Sequence, residues 1–124
     1  LQFRRHTDEA GDSATFFHLL MPNEEQARAC VKLLGEAGIG VGYWYDNMFH
    51  YIKQWDHVKN LSAPYKMVAH ELGLPQDLKT IKFPKSDAVM SRLISFNIRV
   101  TWTDAELNAM LDKMEGAVKQ ALLT

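Results

Sequence analysis

The residues best suited to chemistry fall in two stretches. The first, Tyr43-Trp44-Tyr45-Asp46-Asn47-Met48-Phe49-His50-Tyr51, interleaves aromatic rings with carboxylate, amide and imidazole. Rings offer flat apolar faces while Asn47 and His50 can bond hydroxyls, a mixture that suits a polyhydroxylated ligand. The same aromatics could instead fill a core beneath a long loop. The second stretch, Ile94 to Val100, alternates: Ile94, Phe96, Ile98 and Val100 fall on one side, and Ser95, Asn97 and Arg99 on the other. A planar guanidinium such as that of Arg99 meets a carboxylate through two parallel hydrogen bonds. Arg92 carries the same chemistry, with a surface ion pair to Asp87 as its competing role. The candidate binding residues are therefore Tyr45, Asn47, His50, Arg92, Asn97 and Arg99.

Other chemistries lack their residues. No glycine-rich loop opens a helix as a phosphate cradle does, since Gly35, Gly38, Gly40 and Gly42 flank a helix end. No serine sits in a nucleophile elbow, and no His-Glu-x-x-His pattern occurs. The five histidines have no acidic partner at ligand spacing, so ordinary hydrogen-bonding roles are expected and no metal site. Cys30 is alone, which excludes an internal disulfide and a cysteine zinc site and suits a reducing cytoplasm. A formal net charge of −1 without a polybasic run gives no footprint for nucleic acid or an anionic membrane surface. The longest apolar run, Phe16 to Met21, is strand-sized and broken by His18, far short of a bilayer span. Lys79, Lys82 and Lys85 read as a solvated run.

The elements that must position these residues belong to a single domain of 124 residues, 47% apolar and 23% charged. A strand is expected over Ala14–Met21, bounded by the polar turn 8–13 and by Pro22. Asn23 with Gln26 reads as a helix start, and Ala27, Cys30, Val31 and Leu34 share one helical face that ends at Gly38. A short strand over Gly40–Tyr45 should follow, then an irregular loop over Asp46–Leu61. Ser62 is expected to cap a second helix that buries Tyr65, Val68, Ala69 and Leu72 and stops at Gly73 and Pro75. Ser86 should cap a short helix running to about Leu93, ahead of the Ile94–Val100 strand. Thr103 and Glu106 form a capping box, Trp102 can staple onto Leu107, and Leu107, Met110, Leu111, Met114, Val118 and Leu122 make the apolar stripe of a last helix. The expected architecture is α/β (α+β), a small mixed sheet with helices packed on it. The opening Leu1-Gln2-Phe3-Arg4-Arg5 lacks start-of-chain character, so the chain is expected to be one part of a longer polypeptide.

Taken in order, these motifs resemble the C-terminal small domain of the sugar aminotransferases related to DegT, DnrJ, EryC1 and StrS, of the aspartate-aminotransferase fold type. The likeness spans nearly the whole chain. Gly38-Ile39 after a helix is similar to the family's Gly-Ile step into a strand, and Tyr45 with His50 resembles its tyrosine-then-histidine segment near the sugar. Leu93-Ile94-Ser95-Phe96-Asn97 stands where the family commonly has Leu-Ser-Leu-Pro. Trp102-Thr103-Asp104-Ala105-Glu106 resembles the start of its last helix. Asn97 in place of proline, and Arg99 in place of a neutral or aromatic residue, depart from the common pattern. They are similar to a subgroup acting on a carboxylate-bearing eight-carbon sugar of lipopolysaccharide, which would give Arg99 a purpose.

The resemblance implies a cytoplasmic homodimer that transfers an amino group from glutamate to a sugar through pyridoxal 5'-phosphate. The cofactor and its Schiff-base lysine would lie in a large domain outside this chain, which would supply no catalytic residue of its own. A dehydratase of the same family, with histidine in place of that lysine, is a second expectation. A non-catalytic α/β binding module is a third.

Overall fold

The computed structural model describes residues 1–73 and 79–124. Three strands form one antiparallel sheet in the order β1 (Gln2–Phe3), β2 (Phe16–Leu20), β3 (Leu93–Asn97). The expected small mixed α/β domain is present, but its sheet is wholly antiparallel. In the β2–β3 ladder Phe16 faces Asn97, His18 faces Ser95 and Leu20 faces Leu93. Directly opposed residues of antiparallel strands share a face of the sheet. Phe17, Leu19, Ile94 and Phe96 therefore form one face, and Phe16, His18, Ser95 and Asn97 the other.

Two long helices cover the first face. Helix α1 (Glu24–Glu36) starts where Asn23 Oδ1 accepts from the backbone N–H of Gln26 at 2.8 Å, with Glu24 and Glu25 favoured in its first turn by the helix dipole. Helix α5 (Asp104–Ala121) starts with the expected box, Thr103 Oγ1 accepting from the Glu106 N–H while the Glu106 carboxylate accepts from the Thr103 N–H at 2.8 Å. Ala27, Cys30 and Leu34 of α1 and Met114, Ala117 and Ala121 of α5 pack into one core with Leu19, Ile94 and Phe96. Burial pushes the Cys30 thiol up to about 11, which leaves it an inert small apolar group. Most of the stripe expected on α5 is present, with Met114 buried and Met110, Val118 and Leu122 packed against the core. Leu111 is exposed, whereas Ala117 and Ala121, too small to stand out in an apolar pattern, let α5 approach α1 closely.

Gly38, with φ +78°, ends α1 in the left-handed conformation expected of it. The strand expected over Gly40–Tyr45 shrinks to one bridge, Gly42 to Ser95, with N–H···O distances of 2.7 and 2.9 Å. Two glycines favour strand poorly, and a single 3₁₀ turn at Trp44–Asp46 follows at once. A second such turn, Ile52–Gln54, and helix α2 (Asp56–Lys59) continue the irregular segment.

Ser62 caps nothing. Helix α3 (Val68–Glu71) is one turn long, and Tyr65, Val68 and Leu72 are exposed where a buried face was expected, so no core contact extends the helix further. Pro75 lies outside the described residues, while Gly73, at φ +61°, does close the turn. Helix α4 (Pro84–Met90) begins two residues before Ser86 because Pro84 is preorganised for a first helical position. The last strand stops at Asn97, so Ile98 and Val100 are exposed, the latter at 97%. Among the described residues no helix is long and apolar enough to cross a membrane.

Candidate ligand-binding site

The sheet's second face has no long helix over it. Gly42 pairs with the edge of β3, and the turn that follows lays the Trp44 indole beside Ser95. A cavity of about 1040 Å³ opens at this edge of the sheet, between residues 37–42, the end of β3 and the first turns of α5, and its lining includes Phe96 of the first face as well as Ser95 of the second. That is the upper end of the usual size for small-molecule sites, roughly 300–1,000 Å³. Trp44, Ser95, Asn97, Arg99, Glu106 and Lys113 supply polar side chains to its lining.

The six residues singled out in the sequence do not stay together. Asn97 and Arg99 are exposed on the cavity wall. His50, also exposed, stands edge-on to Trp44 with ring centroids 4.3 Å apart, one side chain removed from the cavity. Tyr45 turns the other way. Its hydroxyl accepts from Lys53 Nζ at 2.9 Å, and its ring lies under both Lys53 and Arg28. Asn47 serves its own loop, its Oδ1 accepting from the N–H groups of Phe49 and His50 at 2.9 and 3.0 Å. Arg92 donates to the carbonyls of Ala88, Met21 and Pro22 at 3.0, 3.3 and 3.4 Å, tying the end of α4 to the end of β2. The surface pair with Asp87 is not made. Asp87 instead accepts from Tyr51 Oη, and Lys53 lies 3.5 Å away. Burial, then the bond to Asp87, holds the Tyr51 hydroxyl well above its usual range.

The aromatic segment thus splits between the two uses open to it. Tyr43, Tyr45 and Tyr51 are structural. Tyr43 donates to the Ser91 carbonyl at 2.7 Å, and burial pushes its hydroxyl up to about 12. Arg28 clamps the turn from α1, bonding Glu24 at 2.8 Å and Asp46 at 3.0 Å over the Tyr43 ring. Of this segment only Trp44 lines the cavity, with the His50 ring behind it.

Among the described residues, three buried side-chain atoms lack a hydrogen-bond partner: His18 Nδ1, Trp44 Nε1 and Ser95 Oγ. His18 and Ser95 are cross-strand neighbours on the second face, and Trp44 Nε1 and Ser95 Cβ lie 3.1 and 3.5 Å from the side-chain position that Gly42 leaves empty. A buried polar group without a partner costs about 1–3 kcal/mol, so this face carries a penalty that the helix-covered face avoids. Trp44 and Ser95 belong to the two stretches singled out in the sequence but not to the six candidate binding residues, and Glu106 and Lys113 belong to neither. No group of three or more metal-ligating side chains occurs among the described residues. No protein-family model matches the chain.

Proposed function

We propose that this chain is the substrate-side small domain of a pyridoxal-phosphate-dependent sugar aminotransferase of the aspartate-aminotransferase fold type. It would serve a cytoplasmic homodimer that moves an amino group from glutamate to a keto or aldehyde sugar. The substrate put forward is 8-oxo-3,8-dideoxy-manno-octulosonate, an acidic eight-carbon sugar of lipopolysaccharide. The observation that carries the reading is the cavity on which Trp44, Asn97 and Arg99 meet. It supplies a flat ring, an amide and a guanidinium, which are the parts needed for a sugar that bears a carboxylate. The order of motifs from Gly38-Ile39 to Trp102-Thr103 supports the family.

The residues present do not fit the cofactor's phosphate. Phosphate seeks an open helix start or a nest of free N–H groups. Both long helices are capped by their own side chains, Asn23 and Thr103, and carry acidic first turns. The cavity meets the C-terminal end of α1, which presents carbonyl oxygens where a phosphate needs free N–H groups. The proposal therefore assigns pyridoxal phosphate and its lysine to another part of the enzyme and derives no step through them. This chain's share is to bind the sugar. Arg99 holds its carboxylate, Asn97 orients a hydroxyl, and Trp44 shields one side from water.

Large apolar side chains left exposed, among them Phe3, Met48, Phe49, Tyr65 and Val100, favour a chain that is covered by further polypeptide over a self-contained binding module. The test is turnover by the full-length protein loaded with pyridoxal phosphate. Glutamate should yield 2-oxoglutarate only with a keto or aldehyde sugar present. Arg99→Ala should raise KM for the acidic sugar on the order of 10- to 100-fold, with kcat far less affected. Absence of 2-oxoglutarate with every such sugar would sink the proposal, and an unchanged KM would remove Arg99 from it.

A further inference from the structure

We infer that the floor of the cavity, beneath the Trp44 indole and against Ser95, is a subsite for one hydroxyl group of the bound sugar, closed by Trp44 until ligand arrives. The inference rests on the sugar-acid reading and deepens it.

The geometry begins at Gly42. A side-chain carbon added there would lie 3.1 Å from Trp44 Nε1 and 3.5 Å from Ser95 Cβ. The indole nitrogen and the serine Cβ therefore both flank the side of Gly42 that carries no side chain. Ser95 is 3% exposed, and neither its Oγ nor Trp44 Nε1 has a partner. Both side chains line the cavity, yet these two atoms are turned away from solvent at its floor.

The donor set selects the ligand group. An indole N–H only donates, whereas a serine hydroxyl donates and accepts. A ligand hydroxyl accepts from Trp44 and donates to Ser95, and so satisfies both. A carboxylate would also accept from each, but it would bring an unpaired charge into a floor with no cation of its own. Charge belongs at the rim, where Arg99 stands exposed. The site is thus divided into a charged rim for the carboxylate and a neutral floor for a hydroxyl.

Access requires the indole to move. Trp44 sits in a single 3₁₀ turn after an isolated bridge, and it is flanked edge-on by the exposed His50 ring rather than locked in the core. Rotation of the indole is the movement that would uncover Ser95.

The test uses the full-length protein and two probes, a 3-deoxy-2-ulosonate sugar acid of eight carbons and pyruvate, which carries a 2-keto carboxylate without hydroxyls. Dissociation constants are measured by calorimetry for the parent, Trp44→Phe, Ser95→Ala and Arg99→Ala. Trp44→Phe keeps a ring and removes the N–H. Ser95→Ala removes an unpartnered atom and serves as the variant least prone to misfold, with melting temperature as the control.

Each floor variant should weaken the sugar acid about tenfold and leave pyruvate unchanged, while Arg99→Ala weakens both. With selective ¹⁵N-tryptophan labelling, one indole N–H resonance, absent in Trp44→Phe, should shift with the sugar acid and stay still with pyruvate. Unchanged sugar-acid affinity in both floor variants, with that resonance unmoved, overturns the subsite and leaves a floor that at most holds water. If the floor variants weaken binding but glutamate never yields 2-oxoglutarate, the subsite stands and the aminotransferase reading falls. If amination proceeds and the floor variants bind normally, the reverse holds.

Discussion

The two faces of the β2–β3 ladder are built from alternate residues of the same ten positions, and they differ in almost every physical respect. The face with Leu19, Ile94 and Phe96 is sealed by α1 and α5, and its buried members form one apolar cluster. The face with His18 and Ser95 carries neither long helix and, with Trp44 beside it, holds all three buried polar atoms found without partners among the described residues. Where stability is the only demand, burial is apolar and complete. Where polar groups are buried without a protein partner, water or a ligand must satisfy them, or the fold bears their cost.

The sharpest way to test that contrast is to damage the sealed face. Ile94 is fully buried between the sheet and the helices. Ile94→Ala should cost about 2–5 kcal/mol, from lost transfer energy and the cavity left behind, read as a drop in thermal or urea midpoint. A loss under 1 kcal/mol would mean that the helices are not packed as described.

A smaller effect should come from His18. Burial, and then the charges of Arg4 and His6, hold its pKa below the usual 6.5. The folded protein therefore binds this proton less readily than the unfolded chain. The stability it contributes is complete above about pH 6.5 and is lost as pH falls through and below that value. Melting temperatures at pH 7.5 and pH 5 should differ more for the parent than for His18→Gln. Equal differences would show that the imidazole titrates freely.

The smallest expected change is also the most discriminating. Ser95→Ala deletes a buried hydroxyl that has no partner, so without ligand its melting temperature should match the parent's or exceed it by a few degrees. Ile94→Ala and Ser95→Ala alter adjacent residues on one strand, and opposite outcomes would establish that the two faces serve different ends. A large loss from Ser95→Ala would show instead that its Oγ is already bonded in the folded protein.

Much of this molecule was legible from local chemistry. Asn23 and Thr103 announce helix starts because their side chains satisfy N–H groups a few residues away, an interaction wholly contained in the sequence. The alternation from Ile94 to Asn97 announces a strand with two unlike faces for the same reason. The helix expected after Ser62 failed because four apolar residues at helical spacing require a surface to bury against, and Tyr65, Val68 and Leu72 found none. The Gly40–Tyr45 strand failed because one bridge was all that its glycines sustained.

The chemistry of individual side chains was thus set by the sequence, whereas their company was set by the fold. Residue types told that Tyr45, Asn47, His50, Arg92, Asn97 and Arg99 could bind a polar ligand. Only packing decided that Arg92 would tie two chain ends, that Asn47 would hold its own loop, and that Tyr45 would turn toward Lys53. The 3₁₀ turn at Trp44–Asp46 made the difference, since it sends neighbouring side chains in different directions where an extended strand would simply have alternated them. It is this turn, placed by long-range pairing of Gly42 with Ser95, that brings Trp44 to the cavity, and no spacing of residues along the chain encodes such a meeting.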